Sequence, residues 1–128
     1  MKDFIYRLTD HIKRLNLDAY PIKVGILSDR QCLTVRPVTG SEVIHQYMDS
    51  MMDIRLPFEV IIKSFDQEEA YNTLSNVMNH VQELVIPEVD EGLVLLKLDV
   101  LQLPAFDKFE DGYYYYVIKL SFDLTVHN

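Results

Sequence analysis

The sequence predicts an α+β fold: a single antiparallel or mixed β-sheet with two α-helices packed on one face, in the order α-β-β-β-β-α-β-β. Two stretches carry apolar residues at helical spacing, and six carry the alternation of half-buried strands. Helices and strands do not follow one another with βαβ regularity, so a parallel sheet sandwiched between helices is disfavoured. The length of 128 residues and an apolar content of 48% suit one domain with its own core over residues 1–128.

The first helix is expected over residues 3–16, where Phe4, Ile5, Leu8, Ile12 and Leu15 form one stripe opposite Arg7, Asp10, Lys13 and Arg14. Pro21 interrupts it. Ile22, Val24 and Ile26 then alternate with Lys23 and Gly25, and Leu33 and Val35 alternate with Thr34 and Arg36, giving two short strands before Pro37 and Gly40. Residues 41–52 admit two readings. As a helix, Ile44, Tyr47, Met48 and Met51 would share a face; as a hairpin, residues 43–48 would pair with 52–63 around Asp49-Ser50. The hairpin is preferred because Ile54, Leu56, Phe58, Val60 and Ile62 alternate cleanly, which places Pro57 on an edge or at a bulge.

Asp66 and Glu69 have capping-box spacing, and the early acids suit the positive end of a helix dipole. Ala70, Leu74, Val77, Val81 and Leu84 continue as a core stripe, which Pro87 closes. Val94, Leu96, Leu98 and Val100 predict a strand through Leu103, and residues 104–112 read as a polar loop carrying Phe106 and Phe109. In the closing strand Tyr114, Tyr116, Ile118, Leu120, Phe122, Leu124 and Val126 share the core face, while Tyr113, Tyr115 and Val117 point the other way.

Twenty acidic and twelve basic residues give a net charge of −8, which argues against a surface that wraps nucleic acid. The balance is lopsided: residues 1–36 hold seven bases against four acids, and residues 37–128 hold five against sixteen. Between Lys63 and Lys97 there are seven acids and no Lys or Arg, a stretch that reads as a solvated face, as complementary packing between subunits, or as a wall that repels DNA. Cys32 is the single cysteine and is expected in the core, with no disulfide to make. No window has the apolar length of a signal peptide or a membrane span, so a soluble protein of a reducing cytoplasm is expected.

No residue pattern demands catalysis or a cofactor. The four histidines lack metal-ligand spacing, and His45, Asp49 and Asp53 would converge only in the helical reading. His11 and His80 read as surface residues. The four glycines are too scattered for a phosphate loop, no nucleophile elbow is present, and Asp107, Glu110 and Asp111 are neighbours without a catalytic context. Tyrosines on a strand can stack bases, but beside Glu110 and Asp111 the four from Tyr113 to Tyr116 sit in the wrong charge for it.

The run QYMDSMMDIRLPFEVIIKSFDQEEAYNTLSNVMNHVQEL, with L-P-F-E, K-S and then D-Q-E-E-A opening a helix, resembles the minor capsid or tail terminator proteins of long-tailed phages and prophages. The closing LPAFDKFEDGYYYYVIKLSFDLTV is similar to that family's last hairpin, and the likeness spans residues 3–126 in order and length. It implies a non-enzymatic virion protein of the tail and neck, made in the host cytoplasm. It also implies a homo-oligomeric ring, a hexamer, which ends tail-tube growth, joins tail to head and lets DNA pass without specific binding. Its partners would be tail-tube and head-completion proteins. Contact residues expected for such a ring are Met48, Met51, Met52, Tyr113, Tyr115 and Val117, since exposed Met and Tyr favour interfaces. The alternative is an intracellular adaptor or inhibitor with an acidic, aromatic binding surface; a small hydrolase comes third.

Overall fold

The apolar stripes of the two predicted helices become α1 (Lys2–Lys13) and α2 (Gln67–Val81). A computed structural model describes residues 2–47, 51–84 and 93–127. The strands are β1 (Ile22–Val24), β2 (Cys32–Pro37), β3 (Glu42–Gln46), β4 (Met51–Ser64), β5 (Leu93–Glu110) and β6 (Tyr113–His127). They form one six-stranded sheet in the order β1-β2-β4-β6-β5, with β3 also paired to β4. All pairings are antiparallel except β1 with β2, so the expected α+β order and mixed sheet are present.

The core lies between the helices and the even face of β6. Phe4, Leu8 and Ile12 of α1 and Ala70, Leu74, Val77 and Val81 of α2 are fully buried with Ile118, Leu120, Phe122 and Leu124. At its centre Phe122 meets Phe4 and Phe58 edge-on while Phe4 lies tilted to Phe58, with Phe4 and Phe122 centroids 4.8 Å apart. Each such side chain contributes about 1.5–3 kcal/mol by leaving water. The N-cap works as its spacing implies on one side only: Asp66 Oδ1 accepts from the Glu69 N–H at 3.1 Å. Glu69 does not return the bond. Its Oε1 instead accepts from the Tyr20 hydroxyl at 3.0 Å, and Ser64 Oγ accepts the Asp66 N–H at 3.1 Å.

Three readings need correction. First, residues 104–110 are not a loop: β5 runs to Glu110 and turns through Asp111 (φ 54°) and Gly112 (φ 85°) into β6. Two consecutive positive φ values are those of a two-residue primed hairpin turn, which Asp-Gly favours. Four register shifts along β5 break its side-chain alternation and hide it from periodicity. Second, Pro57 sits inside the sheet, paired to Ser121. Its carbonyl accepts from Val38 N at 3.0 Å, and on an antiparallel strand a residue's N and O point to the same side. The missing N–H therefore faces the gap where β2 ends and β3 begins, and no ladder bond is lost.

Third, His11 is buried, and His80 lies half-buried against it. His11 Nε2–H donates to the His80 carbonyl at 2.6 Å, His80 Nε2–H donates to the His11 carbonyl at 2.7 Å, and the rings stack at 4.0 Å. Each histidine satisfies a last-turn carbonyl of the other's helix, a crossed cap that ties the two C-terminal ends together. The hairpin reading of β3 and β4 holds, with Gln46 opposite Met52 and Tyr47 N bonded to Met51 O at 2.8 Å. Asp49 lies outside the described residues, as does the side chain of His127.

Candidate functional site

Among the described residues β5, 18 residues long, pairs on one side only and forms an edge of the sheet. Val94, Leu96, Leu101, Leu103, Phe106 and Phe109 are all exposed along it, Leu103 by 66%. Scattered surface hydrophobics need no explanation, but six large ones on one edge strand are a liability that other proteins cover or charge, here divided between the two faces, with Val94 opposite Thr125, Phe106 opposite Tyr116 and Phe109 opposite Tyr114. Lys97 and Lys108 supply the only positive charges on this strand, and they pair within it, to Asp99 at 3.3 Å and Glu110 at 2.8 Å. The Lys108–Glu110 bond holds the lysine above, and the glutamate below, its ordinary value.

The residues expected to make contacts are not all equally available. Met48 lies outside the described residues. Met51 and Met52 are half-buried, and Met52 packs against the core. Tyr113 and Val117 are half-buried on the odd face, whereas Tyr115 is buried, 7% exposed. What covers Tyr115 is cationic rather than helical. Lys63 and Lys108 flank it across the ladder, with Nζ 5.6 and 4.7 Å from its ring centroid. Tyr115 is thus held within the subunit, and Tyr113 is the more accessible member of the pair.

A cleft of about 660 Å³ opens beside Tyr113, between the 18–31 segment and the end of β4. The segment linking the parallel strands β1 and β2 must fold back over the odd face, and Gly25 (φ 83°) begins that reversal with its N–H on Val35 O. Lys63 Nζ donates to the carbonyl of Ser28 at 2.9 Å and lies 4.4 Å from the Tyr113 centroid. Phe65 stacks on Tyr113 at 4.3 Å and 25°. Tyr20, buried behind this wall, bonds Ser64 Oγ at 2.7 Å. Burial foremost, with help from Glu69, pushes its hydroxyl up to about 12.

A second recess, of about 510 Å³, lies on the odd face between Arg55, Pro57, Lys97, Asp99 and Ser121. The buried Ser121 hydroxyl on its wall has no partner among the described residues. Arg55 binds Asp123 through two parallel bonds of 2.9 and 3.1 Å and reaches Glu42 at 3.0 Å, which raises its already high pKa, Asp123 first. Asp53 accepts from Thr125 at 2.5 Å and from Tyr47 at 3.0 Å, and it faces His45 across the β3–β4 ladder.

No group of three or more His, Cys, Asp and Glu side chains suited to a metal occurs among the described residues. No helix of the described chain is long and apolar enough to cross a membrane. Cys32 is buried, as its strand position predicts, with Sγ 3.7 Å from Thr34 Oγ1. In comparisons with known proteins, no family model matches the chain, and no curated protein matches it either.

Proposed function

We propose that this chain is a non-enzymatic structural subunit of a long-tailed phage or prophage, a tail terminator or minor capsid protein. It assembles as a ring, a hexamer, at the head-proximal end of the tail. There it ends tail-tube growth and joins the tail to head-completion proteins while DNA passes through the ring. The reading comes from the resemblance of residues 3–126, and the observation that carries it furthest is the apolar edge strand β5. An edge of this length and composition needs a partner, and a repeated copy of the same chain is the partner a ring supplies. The charge division between residues 1–36 and 37–128 suits unlike surfaces meeting head to tail.

Native mass spectrometry over a concentration series tests this. A closed oligomer is expected, and Leu103→Lys with Phe106→Glu should return it to monomer while far-UV circular dichroism stays unchanged. A chain that stays monomeric at high concentration in physiological salt, and acquires a different protein in pull-down, would favour the adaptor reading instead.

A further inference from the structure

The cleft beside Tyr113 combines three features. It gathers cations in a chain that is acidic as a whole. Lys23 and Arg30 line it, and neither makes an ion pair within 4.0 Å among the described residues. Lys63 lies immediately behind, only 7% exposed, and its ammonium group rests on a carbonyl and two tyrosine rings rather than on a carboxylate. Buried charges are normally paired, and none of the three cations here is bonded to a carboxylate, so the site can take an anion. The opposing acids are Asp18 on the wall and Asp29, whose carboxylate accepts from the Ser28 hydroxyl at 3.4 Å; Glu110 lies farther out, in the field of Lys63 but bonded to Lys108.

The second feature is a flat apolar surface. Phe65 is 61% exposed, yet it is fixed at its base by the Tyr113 stack and by its own N–H, which donates to Gln31 Oε1 at 2.8 Å. An aromatic ring held rigid and left open is a ready platform, because the ordering entropy is already met by the fold. The third is Gln31 itself. Its Oε1 also accepts from Ser64 Oγ at 3.3 Å, and its amide N–H groups have no partner among the described residues, so they are free to donate to a ligand in the cleft that Gln31 lines.

A cation pair, a stacking face and a free amide donor match one ligand chemistry. We propose that this cleft binds a nucleoside phosphate, with the base stacked on Phe65 and the phosphate held by Lys23 and Arg30. The volume of about 660 Å³ lies within the range of small-molecule sites. The ligand source is either a free mononucleotide or the phosphorylated end of a nucleic-acid strand. This inference does not depend on ring assembly.

The test is a ¹H–¹⁵N NMR titration of the full chain with AMP, with inorganic phosphate and with a 5′-phosphorylated oligothymidine. AMP at millimolar concentration should shift the amides of Lys23, Arg30, Gln31 and Tyr113, and phosphate alone should bind more weakly. Phe65→Ala should weaken AMP binding about tenfold, the loss expected for one stacked base. Arg30→Gln should weaken it and flatten its salt dependence. Both positions are exposed, and the unperturbed spectrum of each variant checks that it folds. Tighter binding of the oligonucleotide than of AMP identifies a strand end, and equal binding identifies the free nucleotide. No shifts with AMP, or shifts that persist unchanged in both variants, would overturn the proposal, as would phosphate binding as well as AMP.

Discussion

Replacing Tyr20 by Phe removes one hydroxyl and nothing else from the wall that supports the 18–31 segment. The hydroxyl bonds Ser64 Oγ at 2.7 Å and Glu69 Oε1 at 3.0 Å, and the side chain is buried. Net contributions near 1 kcal/mol per hydrogen bond give a cost of about 1–2 kcal/mol at neutral pH. The lower end is favoured, because Ser64 keeps Gln31 and the Asp66 backbone as partners. The same hydroxyl has an ordinary value of 10.0 and is pushed up to about 12 in the fold, so the folded state retains a proton that the unfolded chain releases first. Its contribution is complete below pH 10, falls as pH rises from 10 to 12, and is gone above. Two pH units correspond to about 2.7 kcal/mol, and solvent around the exposed Glu69 reduces the expectation to about 1–2 kcal/mol. Urea denaturation followed by circular dichroism from neutral pH to pH 12 gives both quantities. The Phe variant should start less stable and lose less between pH 10 and 12, so that the two curves converge. Parallel curves across that interval would show that the hydroxyl carries no such linkage.

Leu74→Ala should cost about 2–5 kcal/mol, since Leu74 is fully buried between α2 and the sheet, and calorimetry should report a correspondingly lower Tm. Asp66→Ala removes the cap on the Glu69 N–H and should cost about 1 kcal/mol, with amide exchange rising first at the start of α2. At Gly112 a Cβ would meet nothing within 4 Å, so Gly112→Ala isolates the backbone cost of φ 85°, about 1 kcal/mol. That loss should appear as faster exchange of Tyr113–Tyr116 amides, while α1 and α2 keep their protection.

The elements that could be read from the chain are those whose side-chain period survives in the fold. β4 and β6 pair without a register shift over 14 residues, and their alternation is legible from Ile54 to Ile62 and from Tyr114 to Val126. β5 is legible as a strand to Leu103 but not in its facing: the shift after Leu95 turns Leu93 and Leu95 to the core in place of Val94 and Leu96. Later shifts around Gln102 and Phe106 put Phe106 and Phe109 out of phase, and Pro104 mimics a loop signal. The site was less legible for a different reason. Along the chain the tyrosines neighbour Glu110 and Asp111, but across the ladder Lys63 stands beside Tyr115, and the β1–β2 loop brings Lys23 and Arg30 to Tyr113. Sequence proximity shows the acids and not the cations that the fold brings beside them. The Asp-Gly turn could have been recognised, and with it the full length of the hairpin.

The same irregularities bear on how β5 meets a partner. A flat edge of 18 residues with six exposed hydrophobics would add strands indiscriminately, since its N–H and C=O groups offer a template to any extended chain. Here four register shifts and Pro104 interrupt the ladder, and Lys97 and Lys108 stand on the strand itself. These are the features that discourage edge-to-edge pairing, yet Leu101, Leu103, Phe106 and Phe109 remain exposed. Main-chain pairing is therefore suppressed where side-chain burial is still available. Under the ring reading, neighbouring subunits meet through packed side chains at β5 rather than by extending one sheet into the next. Substituting Leu103 or Phe106 then weakens the ring directly, whereas a proline placed at an outward N–H of β5 would leave assembly intact.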